Sequence, residues 1–144
     1  MAITTNAICN TFKKELLEAK HDFTQTTGDK FKLAMYTSSA TLGKSTTSFT
    51  TGNQVTSPSG YTSGGGALVN TGTSIASNTA ITDFADLSFT NVTLTARGAL
   101  IYNTSNSNSA VAVLDFGGDK TATSGTFTIQ FPAFTTSAAI LRIA

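Results

Sequence analysis

The chain has 144 residues, and its nine basic and eight acidic side chains give a formal net charge of +1. This balance excludes nucleic acid as the main partner, because phosphate binding needs a concentrated basic surface. The single cysteine, Cys9, excludes an intrachain disulfide and a cysteine-based zinc site.

The composition favours an all-β domain. Charged residues make up only 12% of the chain, and Thr and Ser together make up roughly 30%, far above the norm for soluble domains. Threonine suits a pleated, half-buried surface, and the ten phenylalanines exclude a disordered chain, which would have few aromatics. Counting the apolar runs predicts a β-sandwich or jelly roll of about seven or eight strands with one N-terminal α-helix.

Neither a membrane segment nor a secretion signal is expected. No apolar run approaches the roughly 20 residues that a membrane helix requires. The first residues, MAITTNAICNTFKKELLEAK, lack a basic start followed by an apolar core. We therefore expect a protein that is made in a cytoplasm and does not bind membranes.

The N-terminal region, residues 1–24, is predicted to be a helical arm that precedes a single β-sandwich domain at residues 25–144. A helix is expected from Ile3 to Phe23, because Ile8, Phe12 and Leu16 follow a helical spacing. This apolar stripe either packs on the sandwich or contacts another subunit, and these three residues are the interface candidates of the helix.

The next segments are a strand and a long polar passage. Phe31, Leu33 and Met35 alternate with Lys and Ala between Lys30 and Tyr36, which predicts the first strand. The passage Thr37–Gly66 is rich in Ser, Thr, Gly and Asn, a composition suited to adaptable hydrogen bonding, and Tyr61 within it is a further interface candidate. Its three consecutive glycines are interpreted as turn residues, since no helix or Lys-Ser/Thr pair follows.

Two short segments follow before the middle of the chain. A strand is expected to begin at Ala67–Val69, and Ile75–Ile81 is interpreted as a polar connection. Ser88–Ala96 is predicted to be a strand whose alternation breaks between Phe89 and Val92, so a β-bulge is expected near Asn91.

Leu94–Pro132 is the clearest structural signal. It is predicted to be a three-stranded meander with strands at 99–102, 110–116 and 126–131, and with a turn at Gly117–Lys120. Phe127, Ile129 and Phe131 should face the core. The run from Ala110 to Leu114 is apolar on both faces, which predicts a central strand or one covered by a partner. Ala139–Ile143 is expected to close the fold.

The inventory of reactive groups predicts no enzyme, no cofactor and no bound metal. The single histidine, His21, is expected at the exposed end of the helix, and no Gly-x-Ser-x-Gly elbow supports a catalytic serine. Cys9 is expected to act as a small apolar residue. The acidic pairs Asp83/Asp86 and Asp115/Asp119 are interpreted as turn caps. Arg97 is expected to pair with Asp83, Asp86 or Asp115.

Five segments resemble a family of small virion structural proteins of tailed bacteriophages: NAICNTFKKELLEAKHDF, FKLAMYTSSATLG, GYTSGGGALVN, LTARGALIYN and AVAVLDFGGDKTATSGTFTIQFP. The resemblance covers nearly the whole chain but carries no catalytic signature, so it assigns no functional residues. It implies a protein of the virion, with a capsid decoration (cement) protein as the preferred role. Such a protein would bind the major capsid protein or another virion protein as a homo-oligomer, a trimer or dimer.

Two other roles remain open at this stage. A tail, neck or baseplate protein would share the fold and the composition. A carbohydrate-binding β-sandwich would need exposed aromatic side chains, for which Tyr36, Tyr61 and Tyr102 are the candidates, because the chain has no tryptophan.

Overall fold

The computed structural model describes residues 3–57 and 59–144, and within them the chain forms eight β-strands and one short α-helix. In chain order these are β1 (Ala7–Ile8), α1 (Asn10–Leu17), β2 (Phe31–Tyr36), β3 (Gly66–Ala67), β4 (Asn70–Ala76), β5 (Thr79–Phe84), β6 (Leu87–Asn103), β7 (Ser109–Ile129) and β8 (Leu141–Ile143). The predicted fold class, a mainly β domain of about eight strands with one N-terminal helix, is confirmed.

The strands form two antiparallel sheets that pack as a β-sandwich. One sheet has the order β1-β7-β6-β2-β3 and the other the order β4-β5-β8. Between them, Phe31 of β2 stacks on Phe23 with ring centroids 4.6 Å apart, and lies 5.6 Å from Phe84 of β5. Stacked and tilted aromatic rings of this kind form the centre of the core.

The second face of the five-stranded sheet is covered by the long passage after β2. Successive side chains of a strand point to opposite faces, so Tyr36 and Tyr102 lie on the face opposite to Phe31. Phe49 stacks on Tyr102 at 4.6 Å, and the Tyr36 hydroxyl donates to the Thr50 carbonyl at 2.6 Å. Strands β2 and β6 are therefore covered on this face by the chain itself. Ala110–Val113 of β7 are also buried within the chain, which agrees with the first of the two alternatives for that run, a central strand.

Strands β6 and β7 form one long antiparallel ribbon, so the predicted three-stranded meander is wrong. The Gly117–Lys120 segment lies inside β7 instead of reversing the chain. Ala96 pairs with Lys120 and Gly98 with Asp115, so residues 116–119 bulge opposite Arg97. The positive φ of Gly117, +79°, accommodates this bulge, and pairing with β6 resumes beyond it.

Other details of the ribbon agree with the sequence. The register shifts between Phe89 and Val92, and Asn91 between them has a φ of 53°, which confirms the expected bulge. Phe127, Ile129 and Phe131 are buried, whereas the residues between them are exposed. The alternation of polar and apolar residues thus identified the inner face correctly.

The segment Ile75–Ile81, expected to be a polar connection, instead completes a hairpin. Strands β4 and β5 pair through Ile75 and Ala80 and are joined by the turn residues 77 and 78. The polar appearance of the segment has a physical reason: the far end of this hairpin is exposed, so its side chains do not follow a buried pattern.

The N-terminal helix is shorter than the predicted span of Ile3–Phe23. Ala7 and Ile8 are extended and pair with Val113 and Ala112 of β7, so the helix begins only after Cys9. It ends near Ala19, whose φ of 58° turns the chain out of the helix. The N-terminal region thus contributes both an edge strand and a helix to the sandwich.

Candidate interaction site

An apolar groove of about 870 Å³ lies between α1 and the three-stranded sheet. Ile8, Phe12 and Leu16 line it from the helical side, and Leu141 and Ile143 of β8 line it from the sheet. Grooves of this size with mostly apolar walls are typical binding sites.

The sheet wall of the groove continues the core-facing surface of the sandwich. Thr82 pairs with Thr73 and Leu141, so these three side chains share one face, and Phe84 lies two residues further along the same face in the core. In the other direction that face ends in Ile75, Ala80 and Ile143, which pair across the three strands and which we call the outer row.

The outer row is exposed although it belongs to the inner face. Phe84 is 3% exposed, whereas Ile75 is 71% and Ile143 59% exposed. On α1, Leu17 follows the lining residue Leu16 and is 91% exposed, although it does not itself line the groove. The three-stranded sheet therefore extends beyond the part of the sandwich that covers it, and an apolar surface is left uncovered there.

A buried polar cluster lies beneath one end of the groove. His21 lines the groove, yet its side chain is 0% exposed. Its Nε2 lies 3.0 Å from Glu15 Oε2, and its Nδ1 lies 3.0 Å from Asn103 Nδ2. Glu15 also accepts hydrogen bonds from Asn106 Nδ2 at 2.7 Å and from Ser109 Oγ at 2.8 Å. The cluster joins α1 to the turn between β6 and β7.

The neighbours of His21 determine its protonation state. Asn103 Nδ2 also donates to Asp29 Oδ2 at 2.7 Å, and Asn103 Oδ1 accepts from the Ser105 N–H at 2.9 Å, so the orientation of this amide is fixed. His21 Nδ1 must then accept and Nε2 must donate to Glu15, which is the neutral imidazole. Burial lowers the pKa of His21 below 6.5 and outweighs the opposing effect of Glu15 and Asp29.

The expectation that His21 is an exposed helix-end residue is therefore wrong. The helix ends before it, and the chain turns His21 inward against Phe12, with ring centroids 4.8 Å apart. The cluster nevertheless does not form a Ser-His-Asp arrangement, because Ser109 Oγ bonds to Glu15 and not to His21. It holds segments together and presents no activated nucleophile.

Three of the four interface candidates come together and one does not. Ile8, Phe12 and Leu16 all line the groove, although Phe12 is mostly buried in the chain's own core. Tyr61 lies away from the groove, and its buried hydroxyl accepts from the Met35 N–H at 3.0 Å and donates to Gln54 at 2.8 Å. Burial raises the pKa of Tyr61 to about 12.

The sheet side of the groove was not predicted. Its residues come from β4, β5 and β8, and only the strand pairing, Thr73 with Thr82 and Ala80 with Ile143, brings them onto one face. The pair of apolar residues at Leu141 and Ile143, with Arg142 between them, is the one signal in the sequence that points to this wall.

The tyrosines proposed as a sugar platform are buried. Tyr36 is fully buried, and Tyr61 and Tyr102 are nearly so. Carbohydrate-binding sandwiches use exposed aromatic faces, so these three residues cannot form such a platform, and the carbohydrate-binding role loses its candidate site.

The remaining candidates have structural environments. Burial raises the pKa of the Cys9 thiol to about 11, which keeps it protonated and unreactive at neutral pH.

Arg97 Nε donates to Asp115 Oδ1 at 3.2 Å, which confirms one of its three expected partners. The same oxygen accepts from the Gly117 N–H at 2.9 Å. Asp86 accepts from the Phe131 N–H at 2.8 Å. Burial raises the pKa of Asp83.

Across residues 3–57 and 59–144, no three His, Cys, Asp or Glu side chains are grouped as metal ligands. The helix in this part of the chain is too short and too polar to cross a membrane. Comparison with protein-family models, curated proteins and solved structures found no match to the chain.

Proposed function

We propose that the protein is a structural component of a tailed-phage particle, a capsid decoration protein that stabilises the shell by non-covalent contacts with the major capsid protein. The observation that carries this proposal is the polar cover that residues 37–57 and 59–66 form, which we call the cover loop. The choice of a phage particle as the assembly rests on the resemblance of the sequence to virion structural proteins.

The cover loop is held at several points along its length by α1, by the turn between β6 and β7 and by β2. The Asn10 N–H donates to the Lys44 carbonyl at 2.8 Å, and the Phe49 N–H donates to the Asn108 carbonyl at 3.0 Å. Further along, the Val55 N–H donates to the Met35 carbonyl at 2.9 Å. A loop that is fixed before binding loses less conformational entropy when it binds a partner.

The exposed side chains of the cover loop are nearly all uncharged and polar. Lys44 is its one ionisable side chain other than Tyr61, and the rest of its surface is mainly Ser, Thr, Asn and Gly. Such a surface recognises a partner through many adaptable hydrogen bonds. On a capsid lattice, weak contacts of this kind act together, because simultaneous engagement of several copies raises the overall affinity.

The first test is the copy number in purified particles of the phage that encodes the protein. A decoration protein should give a stained-gel band comparable in molar amount to the major capsid protein. A few copies per particle would contradict decoration and favour the tail, neck or baseplate role. Absence from the particles would overturn the virion proposal.

The second test locates the contact on the cover loop. Ser45 and Thr51 are exposed, and their side chains make no hydrogen bond among the described residues. We expect the double variant S45E/T51E to lose co-sedimentation with shells that lack the protein. The control variant T123E/T126E places the same two negative charges on the exposed part of β7 and should bind normally. Equal binding by all three proteins would exclude the cover loop.

A further inference from the structure

We propose that the groove between α1 and the three-stranded sheet is a self-association site that binds a second copy of this chain about a two-fold axis. The inference concerns a different surface from the cover loop and does not depend on the virion role. It rests on the apolar groove and on the exposed outer row that borders it.

The exposed end of the three-stranded sheet borders the groove. The outer row of Ile75, Ala80 and Ile143 lies on the core-facing side of β4, β5 and β8, where nothing from the same chain covers it among the described residues. The same sheet face carries Phe84 in the core and Ile75 and Ile143 in solvent. This face therefore has apolar side chains at both ends, but only one end is covered. The outer row is therefore the part of the inner face that still needs a packing partner.

Two residues of the outer row, Ala80 and Ile143, also line the groove. Leu16 lines it from α1, and the next residue of the helix, Leu17, is almost fully exposed. When two copies are related by a two-fold axis, the same patch meets itself, so the outer row of each copy can pack against the groove of the other. One contact then covers both sets of exposed apolar side chains, which a single foreign segment in the groove would not achieve.

The charges around the groove fit a second copy. Lys13 and Arg142 line it, and so does Asp22, so both signs are present on one rim. A two-fold contact can therefore place the basic side chains of one copy near Asp22 of the other, whereas a rim of a single sign would repel itself. The net charge of +1 also gives little repulsion between copies.

The test is the mass of the full-length protein in solution, measured by sedimentation velocity over a range of concentrations. We expect twice the chain mass, with dissociation on dilution. The double variant I75D/I143D should dissociate at least about tenfold more readily, because it places charges in the apolar contact. A protein that stays monomeric at every concentration, or one that forms trimers, overturns the proposal.

Val69 provides a control at an exposed apolar position outside the groove. It is 63% exposed, and it does not line the groove. We expect V69D to form dimers as the natural chain does, and loss of dimers in this variant would contradict the assignment to the groove. Circular dichroism and thermal melting of each variant show whether the fold is retained.

A crosslinking measurement gives a second readout that does not depend on disrupting the contact. A photoreactive phenylalanine analogue in place of Leu17, in an equimolar mixture of light and ¹⁵N-labelled chains, should form crosslinks between isotopically different copies. We expect the attachment points within β4, β5 or β8. Crosslinks between copies that map to other strands or to the cover loop would overturn the proposed site, even if the protein is a dimer.

Discussion

His21 connects a local protonation state to the stability of the whole fold. Because its folded pKa lies below the unfolded value of 6.5, the unfolded chain takes up the proton first as the pH falls. Protonation at Nδ1 would place an N–H against the Asn103 amide, which already donates there. The free energy of unfolding should therefore be highest above pH 6.5 and should fall as the pH decreases through the folded pKa.

The variant H21Q isolates this effect, since the chain has no other histidine. Denaturant unfolding between about pH 7.5 and about pH 5, where histidine is the side chain that normally titrates, should show a loss of stability in the natural chain that is smaller in H21Q. Subtracting the two curves removes contributions from carboxylates such as Asp83. If the two curves are parallel, His21 is not the source of the pH dependence.

Substitutions at Gly65 and Gly117 distinguish two ways in which replacing a glycine lowers the stability of the fold: an unfavourable backbone conformation and a steric clash. Both have a positive φ, +82° and +79°, but a Cβ at Gly65 would fall on the Leu33 carbonyl oxygen, whereas a Cβ at Gly117 would meet nothing within 4 Å. We expect G117A to lose about 1 kcal/mol for the backbone conformation alone, and G65A to lose roughly 2–5 kcal/mol because a steric clash is added. Equal losses, measured by denaturant unfolding, would show that the cover loop can move away from β2.

At the scale of elements, the cover loop takes the place of a further layer on the sheet. Phe49 is half-buried against Tyr102, so F49A should cost about 2 kcal/mol, less than a fully buried phenylalanine. Lys44 is the one trypsin site within residues 37–66, and its cleavage should accelerate in F49A. F134A, at an exposed position, is the control and should change neither quantity. Unchanged cleavage in F49A would mean that Phe49 does not hold the loop.

The sequence predicts the strands that alternate or are uniformly apolar, because burial imposes those patterns directly. It does so for β2 and for the ends of β6 and β7. It fails at Gly117–Lys120, where a bulge and a turn use the same residue types and only the pairing with β6 distinguishes them. It also fails at the far end of the β4–β5 hairpin, residues 74–80, whose mostly exposed side chains are selected by no core.

The candidate site was predictable only on its helical wall. Ile8, Phe12 and Leu16 follow a local period, whereas the sheet wall requires knowledge of which strands pair. The hydrogen-bond cluster around His21 could not be predicted from neighbouring residues at all, because its members are far apart in the sequence. Asn103 is 82 residues from His21, and Ser109 is 94 residues from Glu15. Contacts over such separations leave no periodic trace in one sequence.

On the scale of the whole molecule, the chain presents two chemically different surfaces. The cover loop on one face of the five-stranded sheet is polar and nearly uncharged, whereas the groove and the outer row are apolar with charges at the rim. An apolar contact with a mixed rim suits association between copies, and a fixed polar surface suits reversible hydrogen bonding to a different protein. Self-association through the groove would leave the cover loop of each copy free to bind a lattice.

This division predicts that thermal stability depends on protein concentration. If two folded copies associate and the unfolded chain does not, mass action raises the melting temperature as the concentration rises. We expect this increase in the natural chain and in V69D, and we expect it to be lost in I75D/I143D. Each protein is melted over a hundredfold range of concentration. Binding at a concentration of roughly 100 times Kd stabilises the folded state by about 2.7 kcal/mol, so this range is wide enough to show the effect. S45E/T51E should behave as the natural chain, because its substitutions lie on the cover loop. A melting temperature that is independent of concentration in all four proteins would mean that the outer row stays exposed in solution.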